Sequence, residues 1–306
     1  MYVLIGATLG FWRPSVLRRF ECLSSRALDI LLLALLFFTS TTFGLDGEVR
    51  GSLGRLGAAS LVTAVLVVAA SAAAGWLWGR RFATAADSSA APVAAASSTQ
   101  AKTMSALVGS SAIAGWLLGW LLGWLTQAPG AAALTGAMSG LCLNGLLLVI
   151  GYDLGKVRIW RRILEYGAVS LTLPLSVGLA SLAGAAVAAA LVRVPLGRAL
   201  CAGSGFGWYS MAGAVALEEA GAEIGAYVFL SNLLRELITI LAAPFLSGRV
   251  PPVVGAAMGG ATSMDSTLPA ITRSFGPMGA VWGLITGTGL SLVSPFLLNL
   301  FLRLPL

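Results

Sequence analysis

The chain has 306 residues, of which 58% are apolar and only 10% charged. A soluble domain of this size carries about a quarter charged residues, so this composition excludes an ordinary water-soluble fold. The formal charge of +7 does not point to nucleic acid, because the arginines sit in connectors between apolar blocks and line no single helical face.

The absence of histidine, together with Cys22, Cys142 and Cys201 lacking any CxxC spacing, leaves no metal site and no Cys–His nucleophile. No cofactor is expected, and the cysteines read as packing thiols.

Stretches of roughly 20 apolar residues match a bilayer core of about 30 Å at 1.5 Å per helical residue. The first run, 1–12, is too short to cross and has neither a basic residue ahead of it nor a cleavage site, so it reads not as a signal peptide but as a partial helix, or as one whose true start lies upstream. Spans are then expected near 27–44, 56–79, 105–126, 132–152 and 164–192. An interrupted Gly-rich segment follows near 197–217, with further spans near 223–247, 251–275 and 278–302. The fold class is therefore an all-α polytopic membrane protein with eight to ten transmembrane segments in one transport domain, 1–306.

Lys and Arg are retained on the cytoplasmic side. The first, third and fifth connectors hold Arg13, Arg18, Arg19 and Arg26, then Arg80, Arg81 and Lys102, then Lys156, Arg158, Arg161 and Arg162. Only Arg50 and Arg55 lie in the second and fourth. Odd connectors thus face the cytoplasm and both termini face outward, while Arg193, Arg198 and Arg249 run against the scheme.

Residues 83–101, rich in Ala, Ser and Thr, read as a flexible cytoplasmic linker extending to about 104. Gly115, Gly119 and Gly123 recur every four residues, which puts them on one helix face and admits a neighbouring helix closely.

Charge inside a span is costly and marks function. Most acidic residues lie in connectors or at span ends, Asp153 among them. Glu236 and Asp265 instead fall in mid-span, on either side of the turn 247–252. Each is about 12–13 residues from that turn, or roughly 18–20 Å along a helix, so both carboxylates lie at similar depth near the midplane. Two carboxylates sharing a dry site repel one another, so the pair is expected to take up and release a proton at physiological pH. The blander alternative has Arg235 neutralising Glu236 and Asp265 capping a broken helix.

Arg235 points about 100° from Glu236, which disfavours an intrahelical pair. It binds either a substrate carboxylate or groups on another helix. Asn232, Ser263, Ser266 and Thr267 are further polar candidates around the pair. The segments 203–207, with Gly203, Gly205 and Gly207, and 259–269, with Gly259 and Gly260, combine helix breakers with polar groups. Unwound backbone at membrane depth has to line a cavity or be buried in protein. Trp208, Tyr209 and Ser210 either line that cavity or, for the two aromatics, anchor at an interface.

SGFGWYS at 204–210, LLRELITI around 235–238 and GATSMDSTLP at 260–269 resemble the signature segments of the bacterial lysine exporter family, and GYDLG at 151–155 resembles a shorter element of it. The likeness runs from about 136 to 306. It implies an inner-membrane exporter of L-lysine and lysine analogues, outward termini, and a functional acidic pair matching Glu236 and Asp265. It also implies two inverted repeats with discontinuous helices. Expected partners are L-lysine, protons and membrane lipid, with no nucleic acid and with a homo-oligomer left open. Because an interior-negative potential opposes exit of a monovalent cation by about 2.3 kcal/mol per 100 mV, export needs coupling, and proton antiport is the expected form. The alternative is sodium-coupled movement of an organic anion on the same scaffold. An intramembrane aspartyl hydrolase would need two aspartates in place of this Asp and Glu.

Overall fold

A computed structural model describes residues 18–45, 47–82, 98–125, 129–156, 167 and 169–304. These residues form α1 (Arg18–Leu45), α2 (Gly47–Phe82), α3 (Ser98–Leu125), α4 (Pro129–Lys156), α5 (Val169–Val192), α6 (Leu196–Ser204), α7 (Tyr209–Ala220), α8 (Ala222–Leu246), α9 (Val253–Gly259) and α10 (Leu268–Phe301). A 3-10 turn, Gly260–Met264, precedes α10. The expected partial helix 1–12 and linker residues 83–97 lie outside the described residues. Residues 98–101, expected in the linker, already belong to α3.

The chain divides into two compact units, Met1–Arg50 with Ala96–Glu165 and Gly51–Ala95 with Tyr166–Leu306. In the first, α1 packs on α3 and α4. A Cβ added at Gly115 would overlap the Phe37 carbonyl, and one at Gly119 the Thr41 carbonyl, so the glycine repeat meets the α1 backbone directly. Lipid tails are as apolar as leucine, so this close packing, rather than exclusion from water, is what holds such helices together. Leu35, Cys142 and Leu146 form the small core between α1 and α4.

The second unit contains α2 from residue 51 and α5 to α10. Its spans are apolar all round. On α5, Leu173, Val177, Ser181, Ala185 and Ala188 are buried, while Leu171, Leu175 and Leu179 on the opposite face are exposed. A soluble helix would place polar residues there, and this one presents leucine because its solvent is lipid. Four helices are long and apolar enough to cross a bilayer: Leu56–Phe82, Leu171–Val192, Glu223–Leu246 and Leu268–Phe301. With the remaining described helices they make this an all-α polytopic membrane protein.

The interrupted segment 197–217 and the segment 251–275, the latter expected as a span, do not cross. The nine residues of α6 rise about 13 Å, under half the hydrocarbon thickness. After the break at 205–208, α7 returns to the end from which α6 entered. Arg198 near the start of α6 pairs with Glu223, just past the end of α7, at 2.7 Å. Val194 and Ala220 also pack against one cluster with Ile224 and Phe301. Likewise α9 enters from the turn 247–252 and residues 268–275 return to it. The Ser247 hydroxyl donates to the Ser274 carbonyl at 2.5 Å, and Leu246, Val250 and Phe275 share a cluster. At Gly276 the φ of 71° ends that limb and starts the long span 277–301.

These are two re-entrant hairpins, 196–220 and 253–275. Their bases lie at opposite ends of α8, whose 25 residues span about 37 Å, so they enter from opposite membrane faces. α5 is followed by one hairpin and α8 by the other. Arg249 shifts side accordingly: a Cβ on Gly79 would lie 3.2 Å from Pro251, which places Arg249 at the same end as Arg80 and Arg81. The connector count had set it opposite because it took the first hairpin, which precedes Arg249, for a crossing.

The hairpin tips meet. Ala261 N donates to the Phe206 carbonyl at 2.8 Å. Gly260, with φ of 65°, lies directly against that carbonyl, and Gly207, with φ of 98°, faces the Gly259 carbonyl; both conformations suit glycine. Each tip leaves helix-end carbonyls without an intrahelical partner, far from water. Arg235, 1% exposed, supplies donors: Nε to the Met258 carbonyl at 2.9 Å and Nη2 to the Ala257 carbonyl at 3.1 Å, at the end of α9. Its Nη2 and Nη1 also reach Ser71 on α2 and Ser181 on α5, at 3.2 and 2.9 Å. The Ser181 hydroxyl in turn donates to the Gly203 carbonyl, at the end of α6, at 2.9 Å.

Single-cysteine variants test this topology. In a background lacking the native cysteines, Arg193→Cys and Glu219→Cys react with a membrane-impermeant thiol reagent from one face and Arg249→Cys from the other; labelling of residues 193 and 219 from opposite faces would show that 196–220 crosses. Truncating Arg235 to Ala strips charged hydrogen bonds from buried carbonyls and should destabilise the detergent-solubilised protein by about 3 kcal/mol or more in a thermal unfolding assay. Gly119→Leu, which overpacks the α1–α3 seam, should lose roughly 1–3 kcal/mol in the same assay.

Candidate functional site

Glu236 and Asp265 come together where the tips meet. α8 runs past both tips, and its successive residues divide the work. Asn232 holds the first tip: its carbonyl oxygen accepts from Gly207 N at 2.7 Å, and its amide donates to the Ala202 and Val228 carbonyls at 3.0 and 2.8 Å. Arg235, one helical turn on, holds the carbonyl ends of the hairpins. Glu236, rotated about 100° from Arg235, faces a different side of α8, within reach of Asp265 and Ser266.

Glu236 is buried at 5% exposure, and its Oε2 has no hydrogen-bond partner among the described residues. Asp265 lies at the second tip, half-buried, with φ −136° and ψ −96°, just ahead of α10. Its Oδ1 accepts from Ser266 N at 2.6 Å and from the Ser266 hydroxyl at 3.3 Å. The same hydroxyl lies within hydrogen-bonding reach of Glu236, and the two carboxylates are in electrostatic range of one another. Tyr209, the first residue of α7, is in range of both, with its ring edge-on to Phe229 at 5.5 Å.

The half-helix ends give this arrangement an electrostatic sense. A helix carries roughly half a positive charge at its N-terminus and half a negative charge at its C-terminus. Arg235 sits at the C-terminal end of α9 and reaches that of α6 through Ser181. Asp265 sits just ahead of the N-terminal end of α10, with Glu236 in electrostatic range of it. Cation and anions are thereby separated across the junction rather than paired, although they are neighbours in the chain.

The other candidates divide in the same way. Ser263, fully buried, bridges the Gly260 and Gly283 carbonyls at 2.5 and 2.8 Å. Thr267, also buried, lies 3.4 Å from the Thr262 hydroxyl and packs against Gly259. Gly203 and Gly205 give room to Ala185 and Asn232. These residues, with Asn232 and Arg235, position the tips. Trp208 and Tyr209 are half-buried at the first tip rather than at a helix end near the membrane surface, and Ser210 beside them is exposed. Asp153 belongs to the other unit, in α4, and its side chain lies outside the described residues. Ser71 and Ser181 were not foreseen, since a serine in an apolar span carries no sequence signal of its partner. Among the described residues no cluster of three or more His, Cys, Asp or Glu could hold a metal ion.

Against this geometry, the comparisons are specific. The profile of the family described as Lysine exporter LysO matches residues 113–302. The chain is 34% identical to "Lysine exporter LysO" of Escherichia coli (strain K12) over 158 residues, which is 51% of this chain and 52% of that protein. It is 31% identical to a "Putative lysine exporter" of Haemophilus influenzae over 132 residues, 42% of this chain and 65% of the relative. The chain thus spans about half to two thirds of the length of the curated relatives it matches. No solved structure matches it. With its profile match covering both hairpins and the carboxylates between them, this chain belongs to the lysine exporter LysO family.

Proposed function

We propose that the protein exports L-lysine, and lysine analogues, across the bacterial inner membrane in exchange for protons, with Glu236 and Asp265 as the shared binding site. The observation that carries this reading is the carboxylate pair at the meeting point of two opposed hairpin tips, with one carboxylate oxygen unpartnered in the buried core. The names of the two relatives support lysine as cargo.

The mechanism follows from competition. A site holding two carboxylates, with no neutralising cation among the described residues, binds either a proton or an ammonium group more readily than neither, because both charges relieve the same repulsion. A proton arriving from outside displaces the substrate ammonium, and the protonated site returns inward to be exchanged again. Such coupling offsets the potential that opposes exit of a cation. Hairpins entering from opposite faces leave each side of the site behind a different tip, so movement of one tip opens it to one face at a time. The termini face outward in this scheme. The chemistry is displacement at a binding site, with no bond made or broken in the cargo.

Reconstituted, lysine-loaded liposomes test the reading. Acidifying the outside should accelerate efflux of radiolabelled lysine, and an imposed lysine gradient should drive proton movement. Glu236→Gln and Asp265→Asn should each reduce coupled efflux at least about tenfold while leaving the protein folded, since both keep the side-chain volume. Proton coupling unchanged in both variants rejects the mechanism, and efflux that follows a sodium gradient instead moves the assignment to a sodium-coupled carrier.

A further inference from the structure

The C-terminal end of α10 carries a groove that neither hairpin uses. Pro295, Phe296, Asn299, Leu300 and Arg303 line a cavity of about 370 Å³, the size of a small-molecule site. Its walls follow from helical spacing. Pro295 and Asn299 are four residues apart, as are Phe296 and Leu300, so two adjacent rows run along the helix, with Arg303 in the turn just past Phe301. Leu292 continues the second row toward the membrane centre, and Leu292, Phe296 and Leu300 are all exposed. The row covers about 12 Å along the axis, and the polar groups of the groove lie only toward its outer end.

That outer end is at a membrane surface. Phe301 and Leu302 pack on the cluster that also takes Val194 and Ala220, so Arg303 lies at the same face as the base of the first hairpin. The charge there is unspent. Arg198 is paired with Glu223, but the exposed Arg303 guanidinium has neither an ion-pair nor a hydrogen-bond partner among the described residues. Asn299 donates its amide to the Pro295 carbonyl at 2.9 Å, which orients the side chain and leaves its Oδ1 as an acceptor.

The groove therefore asks for an anion, a hydroxyl donor and a hydrocarbon tail in one molecule, in that order from the surface inward. Guanidinium matches a phosphate with two parallel hydrogen bonds, and a cation at the surface attracts anionic lipid. An amino-acid cargo fits poorly, because it would lay an ammonium group against Phe296 and Leu300. We propose that this groove holds one anionic phospholipid with a hydroxylated head group, of the phosphatidylglycerol type. Its phosphate binds Arg303, a glycerol hydroxyl donates to Asn299 Oδ1, and an acyl chain lies along Leu300, Phe296 and Leu292. The site is independent of the cargo and of the coupling ion.

Thermal unfolding of the delipidated full chain in detergent tests it, with phosphatidylglycerol or phosphatidylcholine of the same acyl chains titrated in. Phosphatidylglycerol should raise Tm saturably and phosphatidylcholine should not. Arg303→Gln should keep the lipid-free Tm, since the side chain has no protein partner, and should weaken phosphatidylglycerol at least about tenfold. Arg193→Gln removes an exposed charge at the same face but outside the groove, and should respond as wild type. Native mass spectrometry reads the same site without unfolding: one phosphatidylglycerol should stay on wild type and none on Arg303→Gln. Arg303→Lys keeps the charge without the planar fork and should also weaken the lipid, a second reading if the glutamine variant fails to fold. Equal stabilisation by the two lipids, wild-type affinity in both Arg303 variants, or an equal loss in Arg193→Gln overturns the site and leaves only a general attraction of surface charge. A shift of the same size from glycerophosphoglycerol, the head group without its chains, overturns the lipid and gives the groove to a soluble anion.

Discussion

The architecture of the second unit depends on one interaction, the guanidinium of Arg235 on the carbonyl ends of two half-helices. A re-entrant hairpin leaves backbone acceptors at mid-membrane, where no water can satisfy them and each orphaned group costs several kcal/mol. Arg235 bonds the Ala257 and Met258 carbonyls directly and, by way of Ser181, reaches the Gly203 carbonyl. One buried cation thus serves both tips. Its own desolvation is offset because three of its nitrogens have acceptors with good geometry.

That solution frees the carboxylates. Had Arg235 turned toward Glu236, the pair would have neutralised itself. Adjacent positions on a helix diverge by about 100°, and here that angle separates two jobs, one holding the scaffold and one facing the site. The same partition assigns Asn232 to the scaffold and Ser266 to the site. Asn232 and Arg235 spend donors on backbone carbonyls, whereas the Oε2 of Glu236 has no partner among the described residues.

Close backbone approach is the other recurring device. Gly260 against Phe206, Gly205 against Asn232, and Gly115 and Gly119 against α1 all lie where a Cβ would collide. In lipid, where helices gain little from escaping solvent, such approaches supply the packing that a soluble protein obtains from a hydrophobic core. The exposed leucines of α5 carry no such role and face hydrocarbon.

The sequence by itself determined the solvent and the class, and it set two mid-span carboxylates apart from the rest. Apolar runs of membrane length and scarce charge leave few alternatives to helices in a bilayer, and an acidic residue in mid-span stands out against that background. The Gly115–Gly119 face was legible for the same reason, since a four-residue period repeats on a helix. Only the tertiary structure decided that 196–220 and 253–275 turn back rather than cross. Hydropathy measures how apolar a segment is and not where it goes, and two half-length helices joined by a polar break carry the same apolar total as one broken span. Return to the same side is fixed by contacts distant in sequence, such as Arg198 with Glu223 and Ser247 with Ser274, none of which has a local signature. The role of Arg235 was open for the same reason, because its partners Ser71 and Ser181 lie on other helices and only packing brings them to it.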